Sequence, residues 1–201
     1  MATVLAVSSF VARGSVGLRA VMPALDRLGH TVIACPTTML SNHLGHRCVA
    51  GAPVALETFT AVLEAIAENG WLADVDAVLT GYMPSAAHVA AVAGFIDRVR
   101  ARRPDALVVC DPVLGDLPGG LYVPPAVAEA VRDTLVGRAT HVKPNLFELS
   151  FLSGRDVRDM VGPADVVAAA RGISAPVVLA SSIPLAQDRL ANVVVTPQDA
   201  A

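Results

Sequence analysis

Apolar residues recur along the chain in two alternating spacings. Short apolar runs predict buried strands at residues 3–8, 31–35, 76–80, 106–110, 140–142 and 176–180, with a possible seventh at 192–196. Between these runs the spacing changes to steps of three and four residues, which mark one face of a helix. We therefore predict one domain over residues 1–201, of the α/β class, with three α/β/α layers and a mostly parallel central sheet.

The helices are predicted from the same spacing and from residues that end helices. Leu18, Val21, Leu25 and Leu28 form one helical face that stops at Gly29. Further helices are predicted around Leu56–Ile66 (stopped by Asn69-Gly70), Val89–Val99, Ala126–Val136, Leu146–Leu152 (stopped by Ser153-Gly154) and Ala164–Arg171.

Composition narrows the possible functions. Hydrophobic residues make up 54% of the chain, and the formal net charge of −3 provides no basic footprint for nucleic acid. The amino terminus lacks a basic signal-peptide region, and no apolar run reaches membrane-spanning length, so we expect a soluble, cytoplasmic protein without membrane contact. Three cysteines without CxxC spacing, Cys35, Cys48 and Cys110, are interpreted as reduced thiols that serve as small buried hydrophobes.

Two common nucleotide-binding loops are missing from the sequence. Lys143 is the only lysine, and it is not part of a Gly-Lys-Ser/Thr sequence. No GxGxxG is present either, which argues against a dinucleotide-dependent oxidoreductase. A nucleotide would have to be bound by another arrangement of residues.

Polar residues follow almost every predicted strand. Because ligands of open α/β sheets bind beyond the carboxyl ends of the strands, we expect these residues to share one edge of the sheet. They suit a cation or phosphate site. The residues are Ser8, Ser9, Ser41, Asn42, His43, Tyr82, Asp111, Asp116, Lys143, Asn145, Glu148, Ser181 and Ser182.

Each of these residues also has a structural alternative. Asp111 can simply end a strand in a turn. His43 can bond to its own loop, and Tyr82 can be a core aromatic with a hydrated hydroxyl. Asn145 followed three residues later by Glu148 is the pattern of a helix N-cap with its capping partner, and such a helix start also attracts anions.

Seven segments together resemble the pyridoxal kinases of the ribokinase-like superfamily. They occur in the family's order and cover almost the whole chain. The CDPVLGD and PNLFE segments are typical of the superfamily, and SNH and TGY are typical of the vitamin B6 branch. The segments are SSFVARGSVG at 8–17, SNH at 41–43, LTGY at 79–82, CDPVLGD at 110–116, YVPP at 122–125, PNLFELSFLSG at 144–154 and VVLASS at 177–182.

The resemblance implies roles for individual residues. Ser9, which alone could be a helix or turn cap, matches the residue that hydrogen-bonds the pyridoxal ring, and Tyr82 matches its stacking neighbour. Leu44 lies in the substrate loop, where these kinases often place a hydroxyl residue, so one ring contact is expected to be lost. The ATP-binding residues implied are Asp111, Tyr122 in a flap, Lys143, Asn145 and Ser182, and the Mg²⁺ residues are Asp116 and Glu148.

The resemblance also implies an activity, with one important departure. It implies ATP-dependent phosphorylation of the 5′-hydroxyl of pyridoxal to pyridoxal 5′-phosphate in a homodimer that uses Mg²⁺. The family's Gly-x-Gly-Asp motif, which supplies the catalytic base, is absent before the last residue given, Ala201. The catalytic residue is therefore unassigned. Alternatives are a truncated or degenerate non-catalytic relative that binds a B6 vitamer, a chain completed by a partner, and a hydroxymethylpyrimidine kinase.

Overall fold

The computed structural model describes residues 1–185 and 189–200. The chain divides into two compact units, residues 1–108 and residues 109–201, and each is described by itself. Element labels run in chain order across both units.

Unit 1 contains four strands and three helices. Strand β1 pairs in parallel with β2 and with β4, and β3 pairs antiparallel with the end of β2, which gives the order β4-β1-β2-β3. The elements are β1 Thr3–Val11, α1 Leu18–Arg27, β2 Thr31–Leu40, β3 Gly51–Pro53, α2 Leu56–Glu68, a 3₁₀ turn Trp71–Asp74, β4 Ala77–Thr80 and α3 Ala86–Arg102.

The pairing of β1 with β2 changes register between Ser8 and Ser9. Ser8 pairs with Pro36, but the next residue, Ser9, pairs with Thr38. Thr37 is therefore an extra residue in β2, as in a β-bulge. Beyond this point the two strands continue in parallel to Val11 and Leu40.

The helices of unit 1 bury the predicted faces to different extents. Helix α3 buries Val89, Val92, Ile96 and Val99, as the three-four spacing predicts. Helix α2 buries the expected apolar face and ends at Asn69-Gly70. Helix α1 buries Leu18, leaves Val21 and Leu25 half-buried, and ends beside Leu28, which is 71% exposed, so its predicted apolar face is only partly covered by the described residues.

Unit 2 contains a parallel group of strands with an antiparallel edge. Strand β5 begins at Leu107 in unit 1 and its last two residues belong to unit 2, where it pairs in parallel with β8; β8 pairs in parallel with β9, and β10 pairs antiparallel with β9. The elements are β5 Leu107–Cys110, β6 Gly115–Asp116, β7 Gly120–Leu121, α4 Pro125–Ala130, β8 His141–Val142, α5 Leu146–Ser153, α6 Pro163–Arg171, β9 Val177–Leu185 and β10 Arg189–Val195.

Several sequence predictions need correction. Strands β1, β2 and β9 extend past their predicted ends, and β3 was missed because its three residues are too short and too exposed to show a period. Residues 115–121 form a small β6–β7 hairpin, and the helix that starts at Pro125 continues as a π turn and a 3₁₀ turn to Arg138. Cys35 and Cys110 are buried as predicted, but Cys48 is exposed, so its interpretation as a core residue is wrong.

The membrane prediction can be compared with the helices directly. Over the part of the chain that the structure describes, no helix has both the length and the apolar character that crossing a bilayer requires.

Candidate functional site

Two opposite charges lie where strands β5 and β8 of unit 2 end. Asp111 directly follows β5, and Lys143 directly follows β8. The backbone N–H of Lys143 donates to the carbonyl of Cys110 at 2.9 Å, which extends the pairing of the two strands. The Lys143 Nζ then lies 3.8 Å from Asp111 Oδ2, and the two side chains are 46% and 39% exposed. The pair can therefore meet a charged ligand from solvent.

Asn145 and Glu148 form the predicted capping box at the start of α5. The Glu148 N–H donates to Asn145 Oδ1 at 2.9 Å, and the Asn145 N–H donates to Glu148 Oε2 at 2.9 Å. Two further bonds reach Leu114, just before the hairpin, and Gly115, its first residue: Leu114 N–H donates to Glu148 Oε1 at 2.8 Å, and Asn145 Nδ2 donates to the Gly115 carbonyl at 2.8 Å. The box thus fixes both the helix start and the CDPVLGD segment.

The segment that Glu148 holds has an unusual backbone. Val113 has a φ of +51°, a left-handed conformation that β-branched residues rarely adopt. Such a conformation persists only where the surroundings enforce it, and the bond from Leu114 to buried Glu148 lies immediately beside it. At Gly115 an added Cβ would lie 2.2 Å from the Gly120 carbonyl oxygen, so only glycine fits at this close approach.

Burial shifts the protonation of both carboxyls in the same direction. Desolvation raises the pKa of Glu148 above its ordinary value, although the N–H groups of Asn145 and Leu114 act to lower it and the charge of Asp111 raises it further. Desolvation also raises the pKa of Asp111, and the Lys143 ammonium partly opposes that change. The negative charge of Asp111 thus disfavours the ionised form of Glu148, and a cationic ligand would relieve that effect.

Asp116 and Tyr122 lie on the β6–β7 hairpin and just after it. Asp116 is exposed, and Tyr122 is 48% exposed with its N–H donating to the Leu114 carbonyl at 3.0 Å. The hairpin is joined to α5 by the bond from Asn145 to the Gly115 carbonyl, and its role as a flap stays a prediction.

Ser182 directly follows Ser181, a residue of β9 that pairs with Asn145. Ser181 N–H donates to the Pro144 carbonyl at 2.8 Å, and Ser181 forms a parallel bridge with Asn145. The neighbouring Ser182 is exposed and has a φ of +58°, at an irregularity in the pairing of β9 with β10. The structure thus brings Asp111, Lys143, Asn145 and Glu148 together and places Ser182 next to Ser181, which pairs with Asn145.

The acids suit Mg²⁺ in one particular way. Among the described residues no group of three or more His, Cys, Asp or Glu side chains converges as a metal site. Both Glu148 oxygens already accept backbone N–H groups, whereas the carboxylate of Asp111 is partly exposed and that of Asp116 is exposed. Mg²⁺ commonly binds one or two carboxylates together with waters and substrate phosphates, and the donors present fit that mode.

Neutral hydroxyls mark the corresponding strand ends of unit 1. Thr37 Oγ1 donates to the Tyr82 carbonyl at 2.7 Å, and Tyr82 N–H donates to Ser8 Oγ at 3.2 Å. These bonds fix the backbone of Tyr82, whose half-buried side chain has its pKa raised by desolvation. Ser9 is half-buried against Gly17, where an added Cβ would lie 2.7 Å from Ser9 Oγ.

The predicted substrate loop is exposed and bonded to itself. His43 Nδ1 accepts from Gly45 N–H at 3.1 Å, which is the structural alternative given for His43 from sequence. Asn42 Nδ2 donates to the carbonyls of His43 and Cys48. Leu44 is 56% exposed and contributes no polar group.

Sequence reasoning missed three buried threonines of unit 1. Thr37 fixes Tyr82, while the Oγ1 atoms of Thr38 and Thr80 are buried and have no hydrogen-bond partner among the described residues. Thr37 and Thr38 were overlooked because the strand was predicted to end at Cys35. Two consecutive polar residues that directly continue an apolar strand were the available signal.

Comparisons with known proteins agree on a kinase family. A family model described as phosphomethylpyrimidine kinase matches residues 13–200. Pyridoxal kinase PdxY of Rubrobacter xylanophilus is 37% identical over 180 residues, which cover 90% of this chain and 62% of the relative. The chain therefore spans less than two thirds of that relative's length.

Solved structures give the same answer for the fold. Pyridoxal kinase from Entamoeba histolytica superposes with a TM-score of 0.89 at 29% identity, covering 97% of this chain and 68% of that one. Pyridoxal kinase from Leishmania donovani, solved with ADP and pyridoxamine, gives 0.88 at 34% identity, covering 96% and 66%. The predicted three-layer, mostly parallel ribokinase-like α/β fold and the resemblance to pyridoxal kinases are confirmed.

Proposed function

Because the chain belongs to the phosphomethylpyrimidine kinase family, we propose that it takes part in ATP-dependent phosphorylation of the 5′-hydroxyl of pyridoxal, giving pyridoxal 5′-phosphate and ADP. A bond forms between the 5′-oxygen and the γ-phosphorus, the bond from that phosphorus to the β,γ-bridging oxygen breaks, and the hydroxyl proton leaves. The residue that accepts this proton is unassigned. Relatives named pyridoxal kinase support this substrate.

The observation that carries the proposal is the pairing of Asp111 with Lys143 beside the capping box of α5. In phosphoryl transfer the protein mainly positions groups and neutralises charge. Lys143 would act as a point charge on a phosphate oxygen, and the start of α5 would add the positive end of its dipole. Tyr122 and Ser182 would cover and contact the nucleotide.

The three carboxylates would have different roles in binding Mg²⁺. Mg²⁺, when bound, would neutralise phosphate charge, and Asp111 and Asp116 have the exposed oxygens to hold it together with water. Glu148 would act on the same ion indirectly, by holding the backbone around it, because its two oxygens already accept the N–H groups of Leu114 and Asn145. Asn145 would likewise keep the nucleotide-facing segment in place.

The vitamer would bind to residues of unit 1. Ser9 would hydrogen-bond the ring, Tyr82 would stack on it, and Leu44 would close the pocket with an apolar contact. We also propose, from the family resemblance alone, a cytoplasmic homodimer, and the free cysteines agree with a reducing compartment.

The test of activity is direct. Purified protein is incubated with pyridoxal, ATP and Mg²⁺, and pyridoxal 5′-phosphate is measured at high enzyme concentration. We expect product in this mixture and none when the metal is chelated. No product, together with no binding of pyridoxal, would contradict the proposal, whereas binding without turnover would favour the non-catalytic alternative.

Variants of unit 1 test the vitamer side separately. Ser9→Ala should weaken pyridoxal binding about 2- to 10-fold, the worth of one neutral hydrogen bond, with ADP binding unchanged. Ser15→Ala changes an exposed serine in the loop that follows β1 and serves as the matched control. Equal effects of both substitutions would argue against a ring contact by Ser9.

A second candidate is phosphorylation of hydroxymethylpyrimidine, which the description of the matching family model favours. Competition between pyridoxal and hydroxymethylpyrimidine in one assay separates the two. The substrate with the higher kcat/KM takes most of the phosphate.

A further inference from the structure

We propose that Thr38 is a specificity-determining residue of the vitamer pocket, where its hydroxyl hydrogen-bonds the polar edge of the pyridine ring. This inference rests on the proposed function. It begins from a buried hydroxyl that the fold does not use: Thr38 is 4% exposed, and its Oγ1 has no hydrogen-bond partner among the described residues. An unpaired buried hydroxyl costs stability, so its presence needs an explanation.

The register of the sheet connects Thr38 with Ser9. The two residues are direct partners in the parallel pairing of β1 with β2. Partners in neighbouring strands carry their side chains on the same face of the sheet, with the strands roughly 4.8 Å apart. A ring that hydrogen-bonds to Ser9 therefore lies within reach of the Thr38 hydroxyl.

The second unpaired hydroxyl of unit 1 provides a comparison. Thr80 of β4 pairs with Val7 of β1, two residues before Ser9 on the same face. Val7 is 1% exposed, whereas Ser9 is half-buried. Thr80 therefore lies beside a fully buried residue of β1, and Thr38 lies beside a residue that solvent partly reaches. Both hydroxyls are buried without a partner among the described residues, but Thr38 pairs with half-buried Ser9, whereas Thr80 pairs in β1 with the fully buried Val7.

The chemistry of the substrate loop gives Thr38 a specific role. Leu44, in the exposed loop that follows β2, has an apolar side chain and cannot hydrogen-bond a ring. A threonine can both donate and accept, so it suits a ring nitrogen, a phenolic oxygen or a hydroxymethyl group. Thr38 would replace the contact that Leu44 lacks, from the strand rather than from the loop.

The test compares valine variants, because valine has nearly the shape of threonine without the hydroxyl. Thr38→Val should raise the melting temperature of the ligand-free protein by about 2–4 °C. It should also raise the Kd for pyridoxal about 5- to 10-fold. Thr38→Ser should keep the Kd within about 2-fold, because it keeps the hydroxyl.

Matched controls separate ligand binding from folding. Thr80→Val removes the other unpaired hydroxyl and should raise the melting temperature without changing the Kd. Thr31→Val changes an exposed threonine at the opposite end of β2 and should change neither. Pyridoxine and pyridoxamine, titrated in parallel, should show which ring substituent senses the loss of the hydroxyl.

The outcomes distinguish this inference from the function on which it rests. If the wild type binds pyridoxal and Thr38→Val binds it equally well, the role of Thr38 is refuted and the proposed function stands. A lower melting temperature of Thr38→Val would also refute it, because the hydroxyl would then have a structural partner. If the wild type binds no B6 vitamer, the proposed function itself is refuted.

Discussion

The strand ends of unit 1 carry neutral hydroxyls, whereas those of unit 2 carry charges, and the two sets are held in different ways. In unit 2 the capping box joins residues only three apart, Asn145 and Glu148. In unit 1 the bonds to Tyr82 come from Thr37 and Ser8, which are 45 and 74 residues away in sequence. The capping box of unit 2 is therefore built locally by a helix start, whereas the bonds to Tyr82 depend on the finished sheet.

Because the charged residues lie in unit 2, we expect substitutions that remove a charge there to lower kcat/KM for ATP the most. Asp111→Asn should lower kcat/KM for ATP about 10²- to 10³-fold, because it removes the open carboxylate beside Lys143. The Kd for pyridoxal should stay the same, because the vitamer is assigned to unit 1. Steady-state kinetics and a pyridoxal titration measure the two effects.

An exposed acid provides the control for this substitution. Asp105→Asn removes the same charge at an exposed position and should leave both quantities unchanged. A pyridoxal affinity that falls in Asp111→Asn as far as kcat/KM for ATP would mean that the two regions do not act separately.

The next largest effect should be on the stability of the capping box. Glu148→Gln replaces one of two acceptor oxygens with an NH₂ group, so that either Leu114 or Asn145 loses its acceptor in a buried place. The free energy of unfolding should fall by about 2–3 kcal/mol, measured in urea. Glu68→Gln, at an exposed helix end, should change it by only a few tenths. A loss as small as in that control would mean that the box does not stabilise the fold.

A smaller and opposite pair of effects is expected from two adjacent threonines of unit 1. Thr37→Val removes a fully buried hydroxyl that donates to the Tyr82 carbonyl, and should cost about 1–2 kcal/mol in urea unfolding. Thr38→Val removes a hydroxyl without a partner and should change stability in the opposite direction. If both variants lose stability alike, the distinction between the two hydroxyls is wrong.

The smallest effect concerns pH. Burial raises the pKa of Asp111 above its unfolded value, so its contribution to stability is fully present at low pH and is lost as the pH rises through the folded pKa. Asparagine has no such loss. The stability of Asp111→Asn relative to wild type should therefore increase from about pH 4 to pH 7, by less than about 1 kcal/mol because the side chain is 39% exposed.

Urea unfolding of both proteins across this pH range measures that difference. A relative stability that decreases with pH would mean that attraction to Lys143 outweighs the desolvation of Asp111. The Asp111→Asn substitution would then lower the stability of the protein near pH 7, where it is expected to raise it.

The comparison also explains which features the sequence could predict. The capping box, the end of α5 at Gly154 and the buried face of α3 depend on local spacing, and each is confirmed. The β6–β7 hairpin was missed because its strands have two residues each, too few for a period. Exposure of Cys48 depends on where a loop runs, which spacing alone does not determine.

The site followed the same rule. Asp111, Lys143, Asn145 and Glu148 were predicted to meet because parallel strands end at one edge, and within unit 2 they do. The hydroxyls of Thr38 and Thr80 were not predicted, because a threonine within a strand is ordinary and only coordinates reveal that it lacks a partner. The roles of the individual site residues stay predictions until variants are measured.

The extra residue in β2 has a consequence for reading this sequence against its relatives. Because Thr37 is an extra residue, Ser9 pairs with Thr38, two residues after Pro36. In a chain without the extra residue, the same serine would pair with the residue directly after the equivalent of Pro36, which an ungapped alignment places at Thr37. An ungapped alignment of the strand with such a chain would transfer a binding preference to the wrong neighbour. Homologues should accordingly be matched by strand pairing before their substrate choices are compared.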